Sequence, residues 1–135
     1  MANPYHHAVS SVRKWGGEAE DYQPIHDWFD ATKAHVPTSA HRALRHHSEG
    51  IFLMESIFGA TITTSTGRKV PTRWIGEQHV TEDLGFIPTA ADWLRHLDTQ
   101  GAPWMSRGAR PLSRELESLP RGIDSGAEAG QSEAS

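Results

Sequence analysis

With 135 residues, a net charge of −4 and no cysteine, the chain can bury one substantial core and excludes disulfides, thiolate metal sites and cysteine nucleophiles. Acidic and basic residues are interspersed, which disfavours the basic face that a sequence-independent grip on nucleic acid needs. The first residues lack the apolar run of a signal peptide, and no segment approaches the roughly 20 apolar residues of a membrane span. The expected location is therefore cytoplasmic, with no membrane partner.

HHAVSSVRKW (6–15) predicts a first short helix, stopped by Gly16 and Gly17. A second helix follows from Asp21 as N-cap with Pro24 early, and Tyr22, Ile25, Trp28 and Phe29 recur at helical spacing. VPTS (36–39) is a break, and the stretch 41–59 predicts a third helix ending at Gly59. Threonine-rich 60–76 predicts a β-hairpin with strands near 60–64 and 68–75, Pro71 placing the second at an edge. EQHVTEDLG (77–85) predicts a short helix closed by Gly85. Another opens with Thr89 and Asp92 as a capping box. PLSRELESL (111–119) predicts one weak helix in a polar, flexible tail from 106 onward. No internal repeat is present.

Nine histidines in this length call for an explanation, since histidine is the commonest metal ligand and titrates near neutrality. HRALRHHSEGIFLMESIFG (41–59) holds three of them. On a continuous helical wheel centred on His47, Ala40, Ala43, Leu44, Ile51, Met54 and Phe58 fall within about 60° of it. His47 is thus expected to face the core, with His46 about 100° away at the border. A buried imidazole needs partners for both nitrogens, which a hydrogen-bonded core histidine or a metal ligand would each satisfy.

His79 and Asp83, spaced i, i+4, share one helical face, as a metal site or a hydrogen-bonded pair requires. A solvated acidic face is the competing reading, because Glu77, Glu82 and Asp83 crowd the same short helix. The candidate metal ligands are His7, His47, His79 and Asp83, with His6, His26 and Glu55 as secondary choices. A set of imidazoles and carboxylates suits a divalent zinc, iron, manganese or nickel ion. Three protein ligands and an open position would support hydrolysis by an activated water.

Other chemistries find less support. His26-Asp27 is a His-Asp dipeptide of the kind seen in metal phosphohydrolases, but Asp27 lies on a flank expected to be solvated. Arg42 and His47 match the bare pattern of helical ribonucleases that pair an arginine with a histidine across a dimer. Here the wheel sets them about 140° apart. No nucleophile elbow or phosphate-cradling glycine loop occurs.

PYHHAVSSVRKWGG, PIHDWFDATK, HRALRHHSEGIF, RWIGEQHVTEDLGFIP, ADWL and PWM, in that order, resemble a family of small histidine-rich bacterial and phage proteins known only as a domain of unknown function. The resemblance spans roughly residues 4–105. It implies one compact cytoplasmic domain with a candidate phage association, and no activity, cofactor or site residue.

The expected fold is a mainly α-helical α+β domain over residues 1–105 with a small two-stranded hairpin. Trp15, Ile25, Phe29, Leu44, Ile51, Met54, Phe58 and Trp93 should form the core, and the hairpin should return His79 toward His47. A metal-binding protein, extending to a metal-dependent hydrolase, is the leading functional expectation. A non-catalytic interaction or structural protein, such as a homo-oligomer component or phage accessory factor, is the alternative. Whether the chain is an enzyme, and which protein partner it has, stay open at this level.

Overall fold

The structure, a computed structural model, describes residues 3–97 and 102–107. Of the tail expected from 106 onward, everything beyond 107, including the weak helix at 111–119, lies outside the described residues. The chain divides into two compact units, Met1–Ile87 and Pro88–Ser135. It is mainly helical with one small antiparallel sheet, the expected α+β arrangement. Among the described residues, no helix is long and apolar enough to cross a membrane.

Helix α1 (Pro4–Trp15) starts earlier than expected, because Pro4 stands at its first position and the Asn3 side chain accepts from His6 N–H at 3.0 Å. Gly16, at φ 84°, ends it. Helix α2 spans Ala19–Asp30, so Asp21 is not its N-cap but its third residue. From there the Asp21 carboxylate reaches back to accept from Glu18 N–H at 2.8 Å. The same carboxylate accepts from the Ser65 N–H and hydroxyl, each at 3.0 Å, which ties the hairpin tip to the start of α2.

The predicted 41–59 helix is two pieces. A 3-10 turn, Ser39–His41, runs into the single-turn helix α3 (Arg42–Arg45), and α4 (Ser48–Phe58) begins after a break. His46 leaves helical geometry at ψ 71°, and His47 is extended. The His47 imidazole serves as the N-cap of α4, Nδ1 accepting from Gly50 N–H at 2.9 Å. Gly50 is obligatory at this join: a Cβ there would collide with the Arg45 carbonyl. Arg45 is anchored in turn by donating to the Trp28 carbonyl at 2.7 Å and stacking on the Trp28 ring. The break rotates Leu44 outward, to 52% exposure, against its expected place in the core.

Strands β1 (Thr61–Thr63) and β2 (Lys69–Pro71) pair antiparallel, Ile62 opposite Val70. The second strand is shorter than expected. Pro71 caps helix α5 (Thr72–Leu84), which absorbs the remaining predicted strand residues and starts well before Glu77. Thr72 secures the junction by donating its hydroxyl to the Gly59 carbonyl at 2.6 Å.

Ile25, Phe29, Ile51 and Met54 are buried with Ala8, Tyr22, Val70, Ile75 and Val80, and Trp15 and Phe58 pack against them. Gly76 lets α5 approach closely, since a Cβ there would stand 2.7 Å from Met54 Cε and 3.2 Å from Phe29. That approach carries the next turn of α5, with His79, into the space between α1 and α2. In the second unit, α6 (Ala90–Arg95) opens on the expected Thr89–Asp92 capping box. Trp93 belongs to this unit.

Candidate metal centre

Five imidazoles and two carboxylates meet inside the first unit. His7 comes from α1, His26 and Asp30 from α2, His41 and His46 from the broken segment, and His79 and Asp83 from α5. The five histidines are fully buried, and the side chains of Asp30 and Asp83 are 7% and 2% exposed. Two helices each present a His/Asp pair at i, i+4, which stacks the two side chains on one face.

Four ligand atoms surround one point. His46 Nε2 lies 3.0 Å from Asp83 Oδ2 and 3.6 Å from Asp30 Oδ1; His79 Nε2 lies 3.3 Å and 3.5 Å from the same two oxygens. Metal–ligand bonds of about 2.0 to 2.1 Å arranged tetrahedrally give edges of about 3.3 to 3.4 Å. The four separations bracket that value.

The proton on His79 can be placed from its neighbours. Gln78 Nε2 donates to the His7 carbonyl at 2.9 Å and to Glu82 Oε1 at 3.1 Å, which turns Gln78 Oε1 toward Ser11. Ser11 Oγ stands 2.6 Å from that oxygen and 3.1 Å from the His7 carbonyl, both of which only accept. The hydroxyl proton is therefore committed, and Ser11 must accept from His26 Nε2–H at 2.8 Å. Burial above all pushes the His26 pKa down to about 2. A neutral His26 protonated on Nε2 has a lone pair on Nδ1, which accepts from His79 Nδ1–H at 2.9 Å. His79 in its neutral form then turns the Nε2 lone pair toward two carboxylates, and Nε2 makes no hydrogen bond. Lone pairs facing lone pairs repel unless a positive charge stands between them.

The remaining polar groups hold this arrangement. His7 Nδ1–H donates to Glu82 Oε1 at 2.7 Å, and Ser10 donates to Glu82 Oε2 at 2.6 Å. His7 Nε2 lies 3.2 Å from Asp83 Oδ1, and Arg42 Nη2 lies 3.5 Å from the same oxygen. Burial opposes a charge on His7, but Asp83 and Glu82 outweigh it and raise its pKa. Burial lowers the pKa of His41, His46 and His47. Burial also opposes ionisation of Asp83, yet the imidazoles of His46, His7 and His79 hold its carboxyl far below the usual range; Asp30 is lowered against burial in the same way. Ionised carboxylates beside His46, whose charge burial opposes, form a cation site.

A family model described as Domain of unknown function (DUF6915) matches residues 2–105. The chain belongs to that family. Searches of curated proteins and of solved structures returned no match.

Of the ligands expected from sequence, this DUF6915 domain brings His7, His79 and Asp83 into the cluster, with His26 behind His79. His47 is not there: the break puts His46 in its place and leaves His47 capping α4. His6 is exposed on α1, and Glu55 is bound at the surface by Arg73 at 2.9 Å. Asp27 accepts from Gln23 at 3.0 Å on the exposed side of α2. Arg42 turns to Asp83, so it and His47 face different partners. Asp30, His41 and His46 were missed. The HDWFD stretch (26–30) has the same His/Asp i, i+4 spacing as HVTED (79–83), and that repeat was the available signal for Asp30.

These placements separate two adjacent histidines experimentally. His47→Ala removes a cap and should cost about 1 kcal/mol of stability, recovered by His47→Asn or His47→Asp, with metal uptake unchanged. Urea denaturation and metal titration of the three variants measure both outcomes.

Proposed function

We propose that this protein binds one divalent metal ion, held by His46 Nε2, His79 Nε2, Asp30 Oδ1 and Asp83 Oδ2. The observation that carries the reading is the buried His79 Nε2, its lone pair turned by the Gln78–Ser11–His26 chain onto two carboxylate oxygens. Coordination is its natural satisfaction, and a donor set of nitrogen and oxygen suits zinc, iron, manganese or nickel. His7 and Arg42 engage the outer oxygen of Asp83 and leave Oδ2 to the ion. An ion in this position ties α2 and α5 to the segment ending at His46 and stabilises the fold. With a water in an open ligand position, the same ion would supply the acidified water of a metal-dependent hydrolase. The half-buried Glu82, at 31% side-chain exposure, favours that extension, because it connects the buried His7 to solvent.

Elemental analysis of tag-free protein purified without chelator tests the reading. The expected result is close to one equivalent of metal, lost in His46→Gln and Asp83→Asn with helicity retained by circular dichroism, and kept in His47→Ala. Protein that arrives without metal, and takes up neither zinc, iron, manganese nor nickel on titration, would show that protons alone satisfy the cluster.

A further inference from the structure

His41 borders this cluster, and nothing described above uses it. It closes the Ser39–His41 turn and is fully buried. The Thr32 hydroxyl lies 2.7 Å from His41 Nδ1 and 3.3 Å from the His41 carbonyl. A carbonyl only accepts, so Thr32 donates to it and accepts from Nδ1–H. Burial opposes a charge on the ring, and the lone pair of neutral His41 sits on Nε2. That atom is buried, has no hydrogen-bond partner in the protein, and lies 3.9 Å from Asp30 Oδ1. The ligand atoms of Asp30, His46, His79 and Asp83 lie within 4.8 Å of one another, and His41 stands outside that group. Its nitrogen is thus too far away to share their ion, and too far from Asp30 for a hydrogen bond, but at a separation that one water spans. Asp30 Oδ2 is buried and without a hydrogen-bond partner as well.

We propose that the ion carries a water beside Asp30, and that this water donates one hydrogen to His41 Nε2 and the other to Asp30 Oδ2. The inference rests on the metal reading above and says where its water stands. Asp30 faces the ion through Oδ1, so a water in the neighbouring ligand position closes a six-membered ring back to Oδ2. A single molecule with two O–H donors then satisfies two buried acceptors. Because both groups present lone pairs, the position takes a neutral protic ligand and repels an anion. His41 is a positioning residue here: Thr32 holds its far nitrogen protonated and leaves the near one to accept from the water. A water added to four protein ligands gives a coordination that manganese accepts and a closed tetrahedral zinc site does not offer.

Manganese(II) serves as the probe, loaded into the full chain and followed by electron–nuclear double resonance in water enriched in a magnetic oxygen isotope. The wild type should show two directly bound nitrogens, from His46 and His79, and one bound water oxygen. His41→Phe should still bind manganese, since no protein ligand is removed, but lose the water signal. His41→Gln, whose side-chain oxygen can accept, should restore it. A third bound nitrogen or no water oxygen in the wild type would overturn the inference while the metal reading stands. A water signal that persists in His41→Phe would do the same. A protein that takes up zinc but refuses manganese holds a closed four-ligand site, with the same consequence. Uptake of no metal at all would fell both. Should His41→Phe not fold, the wild-type nitrogen and oxygen signals decide alone.

Discussion

Acidifying the metal-free protein from pH 7 to pH 4 should destabilise it steeply, and most of the loss should come before any carboxylate titrates. His26, His41, His46 and His47 all have folded-state pKa values below the ordinary 6.5, first because burial opposes their charge. Once the pH falls below 6.5 the unfolded chain takes up protons that the folded chain refuses, so stability declines with falling pH. For His26 the window runs from 6.5 down to about 2. His7 has the opposite sign: its raised pKa contributes stability fully below 6.5 that is lost as the pH rises through its folded value. It offsets only part of the total. Each proton contributes a slope of about 1.4 kcal/mol per pH unit, so His26 alone, refused from pH 6.5 down to 4, costs about 3.5 kcal/mol, a large share of the stability of a domain, about 5 to 15 kcal/mol. Below pH 4 the lowered Asp30, Glu82 and Asp83 add to the loss as their carboxylates are forced to protonate. Urea midpoints measured at half-unit pH intervals give the slope directly. A flat profile between pH 7 and 5 would mean that the buried histidines protonate freely. Saturating metal should move the decline to lower pH, since the ion and the protons compete for the same nitrogens.

Replacing His26 with phenylalanine should weaken metal binding by about 10- to 100-fold, although His26 is not among the proposed ligands. Phenylalanine fills much of the same volume but cannot accept from His79 Nδ1–H, so His79 loses both its orientation and its preference for a lone pair on Nε2. Ser11→Ala should act in the same direction more weakly, because His26 would keep its place and lose only the acceptor that commits its proton. Unbound His79 reports the same effect: its nitrogen chemical shifts in metal-free wild type should show the proton on Nδ1, and in His26→Phe a mixture. Competition against a chelator of known affinity measures the binding change. An unaltered affinity in His26→Phe would mean that His79 is held by its carboxylate neighbours alone.

Much of the fold was legible because its signals are local. The glycines at 16, 59 and 85 and the Thr89–Asp92 box each mark a helix end through backbone chemistry that involves only near neighbours. The hairpin was legible for the same reason, although Pro71 hands over to α5 sooner than the β-branched residues after it suggest. The face shared by His79 and Asp83 follows from spacing within one helix. So does that of His26 and Asp30, which the adjacent and solvated Asp27 obscured.

By itself, then, the sequence determined a mainly helical fold with one small hairpin, the helix ends at Gly16, Gly59 and Gly85, the Thr89–Asp92 box, and the shared face of His79 and Asp83. Only the tertiary structure decided which of His46 and His47 turns inward. Every local feature of 41–59 reads as one uninterrupted helix, and a wheel drawn on it points His47 to the core. The break depends on contacts between segments: Arg45 held by the Trp28 carbonyl 17 residues earlier, His46 drawn to Asp83 37 residues later, and His47 freed to cap α4. A helical period assumes unbroken backbone hydrogen bonds, and two residues outside that ladder reset the angle of everything before them. Asp30, His41 and His46 became partners through that reset, which no property of the 41–59 stretch alone could specify.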